Sequence, residues 1–441
     1  MTLLLALVAG IWLIAYLSLR RAQRQEGFIA LDNLQVMFCL VLVVYGTAPP
    51  LFWLLQGGEQ SRIVNPRLGL GPTLQEQHYL VSLGLVFGFS LFASDWIRKR
   101  DTNFRLTRDV VPIPNQILPI CIILAVANFA LTTSLQLIGV IRSAESYIDS
   151  YLVVQQLPLL LRIVLKITGG IGFFAKIVIL VWLFQNWKTH KAWIFGILGL
   201  TLVSFDLAAG RSGTFLTLLI CLILWNRFVK PLSFPKLLLA GSALLVAFTI
   251  AGFYRGMSER GPAARRDMEV SLGEFDAPWT NAVELYRKKQ AGQLEVPFQL
   301  HFCELYNPIP AYFLPFEKWG YSGWFVNEYY SKYGQAGGGL MFGLFAQLVI
   351  GFGWPDVILR GFLLGWLLSW LTRFFRNGAD WWHYPSLVYC AAWTFYSIRD
   401  SSFSILTNLL QVVLVAIIAI QLLSGVRTMR SRGGRLRPST S

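Results

Sequence analysis

Residues 158–185 read PLLLRIVLKITGGIGFFAKIVILVWLFQ. A helix needs roughly 20 mostly apolar residues to cross the hydrocarbon of a bilayer, and this stretch is long enough with few interruptions. Inside lipid every backbone amide must be paired within its own segment or in a closed barrel. An apolar run of this length is therefore read as a transmembrane helix. Similar runs occur at 2–19, 34–56, 79–97, 116–138, 193–209, 213–229, 236–254, 354–375, 384–398 and 403–424, for an expected total of about eleven spans. The fold class expected is an all-α polytopic membrane protein.

Composition agrees. Of the 441 residues, 55% are hydrophobic and only 14% are charged, against about 25% charged in soluble domains. That excludes a soluble multidomain enzyme and a disordered chain. Nucleic acid is excluded as a partner too, although 38 Lys+Arg against 23 Asp+Glu give a net charge of +15. In a membrane protein a basic excess belongs to cytoplasmic loops that fix orientation. The five cysteines (39, 121, 221, 303, 390) lie far apart, so neither a disulfide framework nor a metal spacing is legible.

Orientation follows from the basic residues. Arg20, Arg21 and Arg24 follow the first span as a stop-transfer signal. Placing them inside puts the N-terminus outside. Eleven crossings then put Arg98/Lys99/Arg100, Lys188/Lys191, Arg227/Lys230, Arg373/Arg376 and the tail of Arg427, Arg430, Arg432, Arg435 and Arg437 inside, as the positive-inside rule requires. The chain divides into helices 1–8 at 1–254, a large external loop at 255–335, a re-entrant segment with helices 9–11 at 336–425, and a basic cytoplasmic tail at 426–441. The loop is rich in aromatics and charges, and loops of that length are usually functional. Within it, 275–290 and 311–333 have the pattern of amphipathic helices lying on the bilayer. The Gly-rich stretch 336–352 is expected to be half-inserted. No internal repeat is present.

Charges within spans are costly and mark function. Arg162, Lys166 and Lys176 share a helical face with Gly169 and Phe173, through the step 162, 166, 169, 173, 176. The simple alternative is that Arg162 snorkels outward and Lys176 inward. The turn Asp206-Leu-Ala-Ala-Gly210-Arg211-Ser212-Gly213 puts Arg211 at the start of a helix, where anions are favoured; pairing with Asp206 is the alternative there. Tyr254-Arg255 ends the eighth span and is followed by Arg260, Arg265 and Arg266, while Arg399 ends the tenth on the same side. Such arginines grip phosphate oxygens bidentately. In the loop, His301-Phe-Cys-Glu304-Leu-Tyr306 would, if helical, put His301 and Glu304 on one face as a general-base pair; ordinary loop polarity is the alternative. The catalytic candidates are thus Arg211, Arg255, Glu304, His301 and Asp206. The substrate-binding candidates are Arg162, Lys166, Arg260, Arg265, Arg266, Arg399, Tyr254 and Tyr306. The four histidines (78, 190, 301, 383) are scattered, and neither a metal site nor a cofactor is expected.

The turn Asp206…Gly210-Arg211-Ser212-Gly213, the large late external loop, the Gly-rich segment leading to Gly351-Phe-Gly-Trp-Pro355, and Arg399-Asp400-Ser401 at the end of a short span occur together. In this combination the chain resembles the Wzy-type O-antigen polymerases, the oligosaccharide repeat-unit polymerases. The likeness is densest over 195–230 and 335–405; Gln347 stands where an acidic residue would be expected. The resemblance implies a GT-C-like glycosyltransferase of the bacterial inner membrane with its active site facing the periplasm. Its substrate would be undecaprenyl-pyrophosphate-linked oligosaccharide, with membrane lipids, a chain-length regulator and a flippase as further partners. The growing glycan would pass to a sugar hydroxyl of the next lipid-linked unit, releasing undecaprenyl pyrophosphate without a metal. An O-antigen ligase and a lipid-linked oligosaccharide transporter are the alternatives.

Overall fold

The computed structural model describes residues 1–58, 71–97, 110–137, 157–207, 211–243, 246, 276–309, 313–316, 318–331 and 341–425. Among them all regular structure is helical. Helices α1 (Thr2–Glu26), α2 (Leu34–Leu55), α3 (Leu74–Ile97), α4 (Ile117–Leu137), α5 (Leu159–Gln185), α6 (Trp187–Leu207) and α7 (Arg211–Leu224) come first, and α7 continues as a π-turn over Trp225–Val229. Helix α8 follows at 234–243. The loop region contributes α9 (Ala277–Gln290), α10 (Phe298–His301), α11 (Cys303–Tyr306) and α12 (Tyr321–Tyr329). Then come α13 (Leu344–Ile350), α14 (Trp354–Asn377), α15 (His383–Arg399) and α16 (Ser404–Ser424).

Seven of the described helices are long and apolar enough to cross a membrane: Thr2–Glu26, Leu34–Leu55, Leu74–Ser94, Ile117–Leu135, Leu160–Gln185, Trp354–Asn377 and Ser404–Ser424. Gly213–Val229 is apolar but shorter. The expected spans at 193–209 and 384–398 appear as α6, bent at His190, and the 17-residue α15. Of 236–254, only 236–243 and residue 246 are described.

Small residues set the closest packing, as expected where helices must meet without a hydrophobic drive. Gly361 and Gly365 bring α14 against α3 so tightly that a β-carbon at either would lie 2.6 Å from the Phe87 carbonyl or 2.3 Å from that of Leu91. Gly172 of α5 likewise abuts Asn128 of α4, and Gly170 abuts Val412 of α16. A β-carbon at Gly169 would meet nothing within 4 Å. Gly169, on the face shared with Arg162, Lys166 and Lys176, thus meets space, while Gly170 and Gly172 are packing surfaces.

Ring contacts fix how the helices run. Phe215 of α7 meets Phe395 of α15 at 4.4 Å, and Phe228 meets Tyr384 at 5.5 Å. The two helices are therefore antiparallel, and the start of α7 lies level with the end of α15. Trp187 meets Trp225, and Phe173 meets Tyr389, so α5 begins at that same end. At the other end Arg376 of α14 pairs with Glu26 and, at 2.5 Å, with Asp32, while Arg227 lies 3.5 Å from Glu26. These four side chains are all nearly inaccessible.

Candidate functional site

The loop helices are held to the bundle by a specific set of bonds. Thr73 and Glu76 cap α3 reciprocally: the Thr73 amide donates to Glu76 Oε2 at 2.7 Å and the Glu76 amide to Thr73 Oγ1 at 3.3 Å. Glu76 also receives a two-pronged Arg287 from α9, at 2.6 and 2.9 Å. Trp279 donates its indole N–H to Gln77 Oε1 at 3.0 Å, and Lys289 donates to the Val349 carbonyl at 2.7 Å. A cation is well placed there because α13 ends at Ile350, leaving its last carbonyls without intrahelical partners. The apolar residues of α9 (Trp279, Ala282, Val283, Leu285) are buried. They pack against protein, chiefly α13, rather than lying open as a bilayer-facing surface. Of the second expected amphipathic stretch, 321–329 is helical, with Tyr321, Trp324, Phe325 and Val326 buried.

Helix α13 is the buried centre of this end, since all seven of its residues are inaccessible. It starts at Gly343, whose φ of 90° suits glycine and where a β-carbon would lie 2.4 Å from Pro278. Gln347 is a bridge: its Nε2 donates to the Tyr321 hydroxyl at 2.9 Å, and its Oε1 accepts from the Ser402 amide at 3.0 Å. Gln347 can donate and accept at once, which an ionised carboxylate cannot.

Glu304 sits beside this bridge. It is ion-paired to Arg360 of α14 and accepts from the Ser402 hydroxyl at 3.0 Å and from the Phe403 amide at 2.9 Å. Arg360 also donates to the Ser402 hydroxyl at 3.2 Å, and Asp356 lies 3.6 Å from it one turn back. With that many donors the Glu304 side chain is held in place and in turn anchors the 400–403 turn. His301 and Glu304 do not share one helix, because the backbone breaks at Phe302 (φ −107°, ψ 5°) between α10 and α11. The His301 ring lies 4.3 Å from Phe352. Burial holds its imidazole below the usual histidine range, with Asp356 opposing and Arg360 and Lys289 adding to the depression. Burial first, and then Glu304, pushes the Cys303 thiol up to about 12, leaving it protonated and unreactive.

The 400–403 turn carries the accessible group. Asp400 is exposed to water although protein is packed around it. That enclosure, and then the charge of Glu304, raise its carboxyl to about 6 against the pull of Arg399. Its access to water moderates the effect of burial. Arg399 is itself largely buried, lies against the Met341 thioether at 2.6 and 3.0 Å, and sits 5.0 Å from the Tyr396 ring centre.

The sequence candidates separate as follows. Arg399, Glu304, His301 and Tyr306 lie at the end of the bundle formed by the end of α15 and the loop helices. Along α15, Arg399 is about 15 Å beyond Tyr389, and along α5 Lys166 and Arg162 lie about 11 and 17 Å from Phe173 toward the same end. Lys166 is exposed. Burial and then the charge of Lys166 lower the ammonium of Lys318, so these two cations are electrostatic neighbours. Lys318 donates to the carbonyls of Asn307 and Ile309 at 2.7 and 2.9 Å. Tyr306 instead donates to the Gln299 carbonyl at 3.1 Å and packs on Phe316. Lys176 lies deeper and donates to Thr217 at 3.0 Å.

For Arg211 and Asp206 only the backbone is described, which starts α7 level with Arg399. Tyr254, Arg255, Arg260, Arg265 and Arg266 lie outside the described residues. Asp356, Arg360 and Ser402 carry no role in the sequence reading, and Asp400 enters it only within the motif Arg399-Asp400-Ser401. The first two had a legible signal, two opposite charges four residues apart within an apolar span. Among the described residues no three His, Cys, Asp or Glu side chains group as metal ligands. The chain matches no protein-family model, no curated protein and no solved structure.

Proposed function

We propose that this protein polymerises polyprenyl-pyrophosphate-linked oligosaccharides at the periplasmic face of a bacterial inner membrane, with the end of α15 and the loop helices as its active site. The reading rests on the resemblance carried by Gly351-Phe-Gly-Trp-Pro355 and Arg399-Asp400-Ser401. One observation supports it above the others. Gln347, four residues before the first segment, accepts from the amide of Ser402, the residue after the second, and Asp400 of the second is an accessible carboxyl with cations at the same end. A spanning count of eleven and a GT-C-like arrangement belong to the same proposal.

In this reading the hydroxyl of the incoming unit attacks the anomeric carbon of the growing chain, and its proton passes to Asp400. The carbon–oxygen bond to the pyrophosphate breaks, and the departing lipid pyrophosphate takes the electron pair. Positive charge already in place meets the charge that develops there; Arg162, Lys166, Arg211, Arg255 and Arg399 are the candidates. Glu304 does not take the proton, since its charge is committed to Arg360 and the 400–403 turn. It positions the base.

The test is polymer ladders in cells and on purified lipid-linked units. Asp400→Asn should abolish ladders while single units accumulate and the protein level is unchanged. Transfer of a preformed chain to a lipid A-core acceptor would point to a ligase, and movement of intact units without any new bond to a transporter.

A further inference from the structure

At the end of the bundle opposite Glu304, a cavity of about 440 Å³ opens beside α1. Arg360 and Arg376 lie about 24 Å apart along α14, and Arg376 binds Glu26 at the foot of α1, which places the cavity at that far end. Its walls are Tyr16, Leu19, Arg20 and Gln23 of α1, Phe28 and Ile29 just after it, and the 231–234 segment that leads into α8. Three features give it a chemistry.

The first is charge. Arg20 lines the cavity and is exposed, held by a 2.8 Å bond from its Nε to the Tyr16 hydroxyl. Arg24, one turn on, and Lys230 and Lys236, which flank the 231–234 wall, are exposed too. The nearby carboxylates of Glu26 and Asp32 are matched by Arg227 and Arg376, so they do not cancel the basic rim. The second is an apolar track. Leu5, Trp12, Leu13, Tyr16 and Leu17 form an exposed stripe along α1 that ends at Arg20, and Leu238 and Leu239 of α8 are exposed as well. The third is depth. Residues 2–19 span about 27 Å of helix, close to the roughly 30 Å of bilayer hydrocarbon, so Arg20 stands at headgroup level.

We propose that this cavity binds the phosphodiester headgroup of an anionic phospholipid, with Arg20 on the phosphate and the acyl chains along the exposed stripe of α1. Basic pockets between spanning helices suit such headgroups. The stripe commits the ligand to a lipid rather than a free phosphate, because a soluble anion would leave it without a role. The site is independent of the Glu304 end, and its test does not use polymerisation.

The experiment is native mass spectrometry of the full-length, detergent-purified protein. It would be titrated with phosphatidylglycerol, with phosphatidylcholine of the same chains, and with glycerol 3-phosphate. Phosphatidylglycerol should bind about tenfold more tightly than phosphatidylcholine, and glycerol 3-phosphate should not displace it. Arg20→Ala should weaken phosphatidylglycerol about tenfold, as loss of a charge-assisted bond does, and Arg20→Lys should recover part of that. Ser233→Trp, which fills the cavity without changing charge, should weaken it similarly, whereas Lys191→Ala, an exposed cation outside the cavity lining, should not. Equal binding of the two lipids, or unchanged binding in both Arg20→Ala and Ser233→Trp, overturns the site. Displacement by glycerol 3-phosphate overturns its assignment to a lipid.

Discussion

At the scale of single residues, two carboxylates in one cluster have opposite fates. Glu304 is surrounded by donors and Asp400 is left accessible beside it. If Asp400 is the base, it works only when ionised. Its carboxyl titrates at about 6, so turnover should fall about tenfold per unit as pH drops below 6 and level off above about 7. A rate profile on purified lipid-linked units checks this; a flat profile from pH 5 to 8 would remove Asp400 from the role. Asp400→Asn should lower turnover about 10²–10⁴-fold. Glu304 makes a different prediction. Glu304→Gln takes from the buried Arg360 the closer of its two counter-charges, leaving Asp356 at 3.6 Å, and should cost up to about 3 kcal/mol of stability. Glu304→Leu with Arg360→Leu should cost less than the sum of the two single changes, because the Glu304–Arg360 ion pair is then removed whole. Thermal unfolding in detergent measures both. The sequence pattern singled out Glu304, but not its state, because its counter-ion lies in a different span. Asp400 stands in the motif Arg399-Asp400-Ser401, but its separate role was hidden for a related reason. Next to Arg399 it looks like half of a local ion pair, and only the fold brings Glu304 to its other side.

At the scale of elements, long apolar runs made the spanning helices legible, and what the sequence hid was mostly in how they touch. Gly361-Phe-Leu-Leu-Gly365 is a small-residue pair one turn apart, yet nothing in the pattern says that α3 is its partner. Because the obstacles there are backbone carbonyls, a side chain cannot be accommodated by a rotamer change. Gly365→Leu should therefore force α3 and α14 apart and lower the thermal midpoint in detergent by many degrees. Gly169→Leu, made into open space on α5, should leave it within a degree or two. Equal effects would mean that the α3–α14 contact does not govern packing. The loop helices show the opposite limitation. The amphipathic pattern of 275–290 correctly marked a helix with one apolar side, but periodicity does not tell a bilayer from a protein surface. Arg287 on Glu76 and Trp279 on Gln77 decide in favour of protein.

At the scale of the whole molecule, the bundle has two chemically distinct ends. One holds Glu304, Asp400, Arg399 and the first half of α5; the other holds Glu26, Asp32, Arg227 and Arg376. Topology follows if these ends face opposite sides of a membrane, with the basic loops inside. All five cysteines are buried, so introduced thiols can be read against a low background. Gln293 follows α9 and is exposed, as is Lys191 on α6. Gln293→Cys should react with a membrane-impermeant maleimide in intact spheroplasts, whereas Lys191→Cys should react only after lysis. The pair is informative because each side chain reports a different end. Labelling of Lys191→Cys alone in intact cells would invert the bundle and move the Glu304 end to the cytoplasm, out of reach of periplasmic lipid-linked substrates. Labelling of both would mean that the two ends share one side, and the antiparallel pairing of α7 with α15 could then no longer be read as two membrane crossings.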